Sequence, residues 1–194
     1  MKYLIADVSE WTDQECQKHF DSLPQSRKDR FDKIFFAEKR KASLLGDLLA
    51  RRLACDETGM SLDQIQFENA PDGRPFFENV PLEVSISHSK SWVCAAISDK
   101  PIGVDIELLR ETSTAPAQRV FCENEIEKLR LAQEQSDAEA YECFFKIWTA
   151  KEAYFKCTAL PFGKWKSVDV LGVTDCTVEY IDHDKLIVCI CEKI

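Results

Sequence analysis

The chain has 194 residues, 45% of them apolar, enough to bury the core of one domain or of two small ones. Its formal net charge of −9 argues against a nucleic-acid-binding class, which needs a basic footprint. No stretch approaches the length of a membrane span, and the apolar run at Tyr3-Leu4-Ile5-Ala6 is too short for a signal peptide.

Residues 2–8 predict a first strand. Residues 26–56 carry one long helical pattern, with Phe31, Ile34, Phe35, Leu44, Leu45, Leu48, Leu49 and Leu53 as its apolar stripe and Ser26 as a cap. Gly46 suggests close packing or a kink. This stretch also concentrates the basic residues, nine of them between Arg27 and Arg52. Residues 64–68 and 74–77 predict two strands joined by a turn at Asp72-Gly73. Residues 83–87 and 92–97 predict two more, around a serine-rich break. Residues 102–107 form an acidic strand, 111–117 a loop, and 118–133 and 137–157 two helices. Pro161-Phe162-Gly163 reads as a connector, followed by strands near 167–171, 176–181 and 185–191. Helices and strands mix without a regular βαβ alternation, so the fold class is α+β. The two halves share a helix-rich stretch followed by short strands, a hint of duplication, with a division into residues 1–100 and 101–194.

The nine cysteines include no CxxC pair. They read as small buried or half-buried hydrophobes of a reducing compartment, and no His/Cys spacing supports a zinc site. A cytoplasmic location is expected.

Two segments carry chemistry. On the strand Gly103-Val104-Asp105-Ile106-Glu107, the two acids lie two apart and point to one face. On the helix Trp148-Thr149-Ala150-Lys151-Glu152-Ala153-Tyr154-Phe155-Lys156, Glu152 and Lys156 lie four apart and share a face. If strand and helix meet, three carboxylates and an ammonium converge, a seat for a hard divalent cation and a phosphate. The plain alternatives are a solvated sheet face and a surface ion pair, but Val104, Ile106, Trp148, Tyr154 and Phe155 crowd both segments. His88, in Ser85-Ile86-Ser87-His88-Ser89, is framed by hydroxyls that suit an oxyanion, although a lone histidine is more often a packed or surface residue. Arg74 sits beside the Gly73 turn, where a solvated arginine is the ordinary reading. Arg27 and Arg30, three apart, face one way on a helix, ordinarily a solvated face.

Taken in order, Leu44-Leu45-Gly46-Asp47, Asp72-Gly73-Arg74-Pro75, Ile86-Ser87-His88-Ser89, the acidic strand and Trp148-x-x-Lys151-Glu152-x-x-x-Lys156 resemble the motifs of 4′-phosphopantetheinyl transferases of the two-lobed, surfactin-synthetase-activating type. The resemblance runs from about Arg27 to Lys156 and is thin beyond. It implies two similar α+β lobes related by a pseudo-two-fold axis, each a small mainly antiparallel sheet packed with helices, with the active site between them. It implies transfer of the phosphopantetheine arm of coenzyme A to a serine of an apo acyl or peptidyl carrier protein. Asp105, Glu107 and Glu152 would hold Mg²⁺ (Mn²⁺ in its place) against the diphosphate. Glu152 would act as base and Lys156 would contact the α-phosphate. Arg27, Arg30 and His88 would bind coenzyme A phosphates. Asp72, Gly73 and Arg74 would line the adenine pocket, with Ile86 and Ser87 contributing to it. Glu125 matches a family acid near the metal, and a second candidate base. Arginines at 27, 30 and 74 stand where relatives often carry lysine, and the C-terminal end is short for the class. A monomer is expected. The competing readings are a non-catalytic coenzyme A or nucleotide-binding module and a structural interaction domain whose acids are surface charge.

Overall fold

The computed structural model describes residues 1–194, excepting the side chains of Phe162 and Asp182. The chain divides into two compact units, Met1–Pro101 and Ile102–Ile194.

The first unit opens with strand β1 (Lys2–Asp7), followed by helices α1 (Asp13–Ser22), α2 (Gln25–Asp32) and the long α3 (Ala37–Thr58). Strands β2 (Phe67–Asn69) and β3 (Pro75–Phe77) form a separate short hairpin. Strands β4 (Glu83–Ser89) and β5 (Trp92–Ser98) pair with each other, and β1 adds to β5, giving an antiparallel sheet of order β1-β5-β4. α3 lies on this sheet. A Cβ on Gly46 would stand 2.8 Å from Ile86 Cγ2, so the hydrogen side chain of Gly46 lets the helix seat against β4.

The expected single helix over 26–56 is two helices. The reason is an ion pair. Arg27 Nε donates to Asp47 Oδ2 at 3.1 Å, and both residues are buried. Twenty residues of straight helix would hold them about 30 Å apart. The chain therefore breaks over residues 33–36 and α2 folds back across α3. Helix α1 was not expected, although Thr12-x-x-Glu15 is a capping box: Glu15 N–H donates to Thr12 Oγ1 and Thr12 N–H to the Glu15 carboxylate.

The second unit has a similar order of elements, without a counterpart of the β2–β3 hairpin. Strand β6 (Ile102–Leu108) is followed by α4 (Ala117–Val120), α5 (Glu123–Gln135) and the long α6 (Asp137–Thr158), then by β7 (Cys176–His183) and β8 (Leu186–Lys193). β7 and β8 form a hairpin and β6 adds to β8, so the antiparallel sheet runs β6-β8-β7. In both units the first strand pairs with the last, and a 22-residue helix covers the sheet. The α+β class is as expected. The strand expected near 167–171 is instead a 3₁₀ turn (Phe162–Ser167) and an irregular segment. Val168 and Val170 alternate as strand residues would, but their peptide groups serve a buried ion pair described below.

Candidate active site

In the second unit, β6 turns Gly103, Asp105 and Glu107 to the face covered by α6. Gly103 decides how closely the helix approaches. A Cβ there would lie 1.9 Å from Ala153 O and 2.6 Å from Cys157 N, both backbone atoms of α6. Helix and strand thus meet backbone to backbone. Glu152 and Lys156 immediately precede those two contact residues, so they arrive beside the acids. Lys156 Nζ donates to Asp105 Oδ1 at 2.8 Å and to Val104 O at 2.9 Å. Asp105 is buried; Glu107, Glu152 and Lys156 are half-buried. Glu107 also accepts from Arg110 at 3.1 Å.

The electrostatics mark the place. Burial pushes the Glu152 carboxyl above its ordinary pKa, Asp105 and Glu107 push it further, and Lys156 only partly opposes them. Lys156 and Arg110 together face three carboxyls, leaving an excess of negative charge and an all-oxygen donor set, which suits a hard divalent cation. The three carboxylates are not drawn together as tightly as ligands of one ion: among the described residues, the groups of three ligand atoms within 4.8 Å of one another lie elsewhere. Beside Glu152 opens a cleft of about 490 Å³, walled by Trp148 and Trp165 and carrying Arg119 and Lys166 at its margin.

Glu125 has a different position from the one expected. It is fully buried, accepts from Cys122 N–H at 2.8 Å and Val170 N–H at 2.9 Å, and pairs with Lys151 Nζ at 2.9 Å. Lys151 is equally buried and donates also to Trp165 O (2.8 Å) and Val168 O (2.6 Å). Its three N–H bonds meet three acceptors, the condition under which a buried ammonium persists. These contacts clamp the 160s segment onto α6 and consume Glu125, which is removed as a base. Lys151 was missed as a structural residue. Its signal was helical spacing: Ile147, Lys151, Tyr154 and Phe155 lie on one buried stripe.

In the first unit the predicted residues separate. Arg27 and Arg30 differ in exposure, although they remain neighbours: partial burial and the Arg27 charge hold the Arg30 guanidinium below its ordinary pKa. Arg27 is buried, gripped by Asp47 through Nε and through Nη2 at 2.5 Å, donating through Nη1 to Asn69, and lying over the Phe31 and Phe67 rings. That placement makes it a structural cation. Asp47 also accepts from Arg51 Nε at 2.8 Å and lies 3.2 Å from His19 Nε2. Arg30 is exposed. The Asp72-Gly73-Arg74 turn joins β2 to β3. Gly73 takes φ 92°, which glycine adopts without strain, and Arg74 Nε donates to Asp72 Oδ2 at 2.7 Å. Asn69 Nδ2 donates to Gly73 O at 2.8 Å, so Arg27 braces this turn through Asn69. On β4, Ile86 packs towards α3 and His88 follows on the same face, exposed near the strand end. Ser85, Ser87 and Ser89 are buried on the opposite face. The hydroxyls therefore do not surround the imidazole, because strand alternation separates neighbours.

Comparison with known proteins identifies the family of the chain. Residues 101–188 match the family profile described as 4′-phosphopantetheinyl transferase superfamily, and residues 9–100 match 4′-phosphopantetheinyl transferase, N-terminal. The chain is 30% identical over 163 residues to 4′-phosphopantetheinyl transferase psf-1 of Bacillus pumilus, covering 81% of this chain and 69% of that protein. It is 37% identical over 114 residues to the transferase gsp of Aneurinibacillus migulanus (59% and 46%). To Sfp of Bacillus subtilis strain 168 it is 28% identical over 144 residues (74% and 63%). The chain thus spans less than two thirds of the length of the last two.

Proposed function

This chain belongs to the 4′-phosphopantetheinyl transferase family, and from that membership we propose that it moves the 4′-phosphopantetheine arm of coenzyme A onto a serine of an apo carrier protein. The observation that carries the proposal is the meeting of Asp105, Glu107, Glu152 and Lys156 on the α6-covered face of β6, within the stretch matched to the family.

The residues divide the work. Asp105, Glu107 and Glu152 would hold Mg²⁺, whose charge would neutralise the coenzyme A diphosphate. Glu152 takes the proton of the carrier serine. Burial and the neighbouring Asp105 and Glu107 raise its pKa, which makes it a stronger base than an ordinary glutamate. The serine oxygen bonds to the phosphorus that carries the pantetheine arm. The bond from that phosphorus to the bridging oxygen breaks, and 3′,5′-adenosine bisphosphate leaves. Lys156 neutralises charge on the departing α-phosphate, which matters because phosphoryl transfer depends mainly on positioning and electrostatics. Exposed Arg30 and His88 contact coenzyme A phosphates. Asp72, Gly73 and Arg74 line the adenine site, with Ile86 and Ser87 contributing through their backbone. Arg27 acts at one remove, by holding the Gly73 turn. Residues 1–100 would then supply nucleotide contacts and residues 101–194 the metal and chemistry, as two pseudo-symmetric lobes. Since both sets lie in one chain, a monomer suffices.

The test is to incubate the protein with coenzyme A, Mg²⁺ and an apo carrier and weigh the carrier. Gain of one phosphopantetheine arm, abolished by Asp105→Ala and by chelator, is expected. Coenzyme A binding without transfer would instead identify a binding module, and transfer in excess chelator would remove the metal from the scheme.

A further inference from the structure

The second unit holds a group of side chains that transfer chemistry does not use. Cys157 lies in the last turn of α6, Cys176 is the first residue of β7, and Cys191 is on β8. Their Sγ atoms all lie within 4.8 Å of one another, and those of Cys157 and Cys176 are 3.9 Å apart. All three residues are buried, at 6%, 5% and 0% exposure.

The fold explains the convergence. Cys191 pairs with Gly103 on one side and with Val178 on the other, so it points to the face covered by α6. Cys176 lies two residues before Val178 and shares that face. Gly103 admits the helix so closely that Cys157 N would come within 2.6 Å of a Cβ there. The missing side chain of Gly103 thus brings the third sulfur down to the other two. Sequence spacing hides the group, because its members are 19 and 15 positions apart.

We propose that Cys157, Cys176 and Cys191 form a binding site for a soft, thiophilic metal ion of the class of Zn²⁺ and Cu⁺, separate from the acidic site. Three sulfurs at bond lengths of about 2.3 Å from one ion stand about 4 Å apart in a trigonal arrangement and slightly closer in a tetrahedral one. The Cys157–Cys176 separation of 3.9 Å meets both, and Cys191 Sγ lies within 4.8 Å of each. An all-sulfur donor set selects soft ions and rejects Mg²⁺ or Ca²⁺. Lys193, the cross-strand partner of Cys176, brings positive charge near Cys157, although its ammonium is itself paired with Asp175 at 2.6 Å. The other close group, Cys122, Glu125 and Asp169, carries no such site, because Glu125 is consumed by Lys151 and two peptide N–H groups. An ion at the three cysteines would tie the end of α6 to the β7–β8 hairpin, one residue beyond Lys156.

The test does not depend on transferase activity. Reduced protein is loaded separately with Zn²⁺ and, without oxygen, with Cu⁺, then challenged with a chromophoric chelator for each ion. One equivalent of one ion should be retained, and the two arms identify which. Cys176→Ser and Cys191→Ala should each weaken retention by at least about 10–100-fold, the cost of losing even an outer-shell partner of a metal site, while Cys143→Ser should not. Should those variants unfold, the wild type still decides the matter: the bound ion should slow alkylation of Cys157, Cys176 and Cys191 and not of Cys16, Cys55, Cys122 or Cys143. No retained equivalent, equal retention by the variants, or protection of the other cysteines instead would overturn the proposal. So would a Cys157–Cys176 disulfide in protein prepared under reductant.

Discussion

Replacing Gly103 by alanine adds one methyl group where α6 and β6 touch backbone to backbone. The new Cβ would stand 1.9 Å from Ala153 O and 2.9 Å from Ala153 C. Ordinary contact begins near 3.4 Å, so α6 must retreat by about 1.5 Å. Neither partner is a flexible side-chain tip, and the strand is held by β8, so the strain is not relieved by rotation about a side-chain bond. Overpacking of this kind costs about 1–3 kcal/mol and sometimes more. For a domain of this size that lowers the melting temperature by about 5–20 °C. Retreat of the helix also carries Lys156 away from Asp105, stretching a 2.8 Å hydrogen bond past its useful limit of about 3.2 Å. A displacement of about 1 Å at reacting groups costs about 100-fold in rate. Thermal melting and single-turnover transfer at saturating coenzyme A measure the two effects. Wild-type melting together with a wild-type rate would refute the view that this contact sets the spacing of the site.

Lys151→Met should destabilise the second unit by about 3–5 kcal/mol in urea titration, because Glu125 is left charged and unpaired in the core; a loss below about 1 kcal/mol would show that the pair is not structural. Arg27→Met should cost a similar amount of stability in the first unit, by orphaning part of the Asp47 contacts. Arg30→Ala should leave melting unchanged and raise the KM for coenzyme A, and the reverse pattern would exchange the roles assigned to the two arginines. Asp47 gives a pH signature. Burial alone would raise its pKa, but His19, Arg51 and Arg27 outweigh it and hold the carboxyl below its ordinary value. A depressed folded pKa contributes stability above the unfolded pKa of about 3.9, which is lost as pH falls towards the folded value. The stability difference between wild type and Asp47→Asn should therefore shrink below about pH 4, whereas a difference independent of pH there would contradict the ion-pair account.

The acidic strand and its partner helix were legible because strand and helix periods place Asp105 with Glu107 and Glu152 with Lys156 on single faces. The sequence did not show that Gly103 brings the two faces together, since a glycine in a strand pattern reveals no partner. Arg27 was misread for a related reason. Three-residue spacing puts it near Arg30 on a helix, but Asp47, twenty positions on, buries Arg27 and leaves Arg30 at the surface. Helix α1 is readable from Thr12 and Glu15 only as a cap, because its stretch is polar and its long-range ties, His19 to Asp47 and Asp13 to Lys41, have no local signature. Val168 and Val170 looked like a strand because apolar alternation says nothing about which partner takes the peptide groups.

The closure around Lys151 has a chemical consequence. Two lysines five positions apart on one helix meet solvent very differently: the Lys156 side chain is 31% exposed, whereas that of Lys151 is sealed. A small amine-acylating reagent added to native protein will modify Lys156 directly, at a rate that falls when a ligand occupies its ammonium. It will reach Lys151 only through molecules that have momentarily opened, so the slow rate measures the free energy of opening of this part of the unit. A single labelling time course, read peptide by peptide, thus reports site occupancy at one lysine and core integrity at the other.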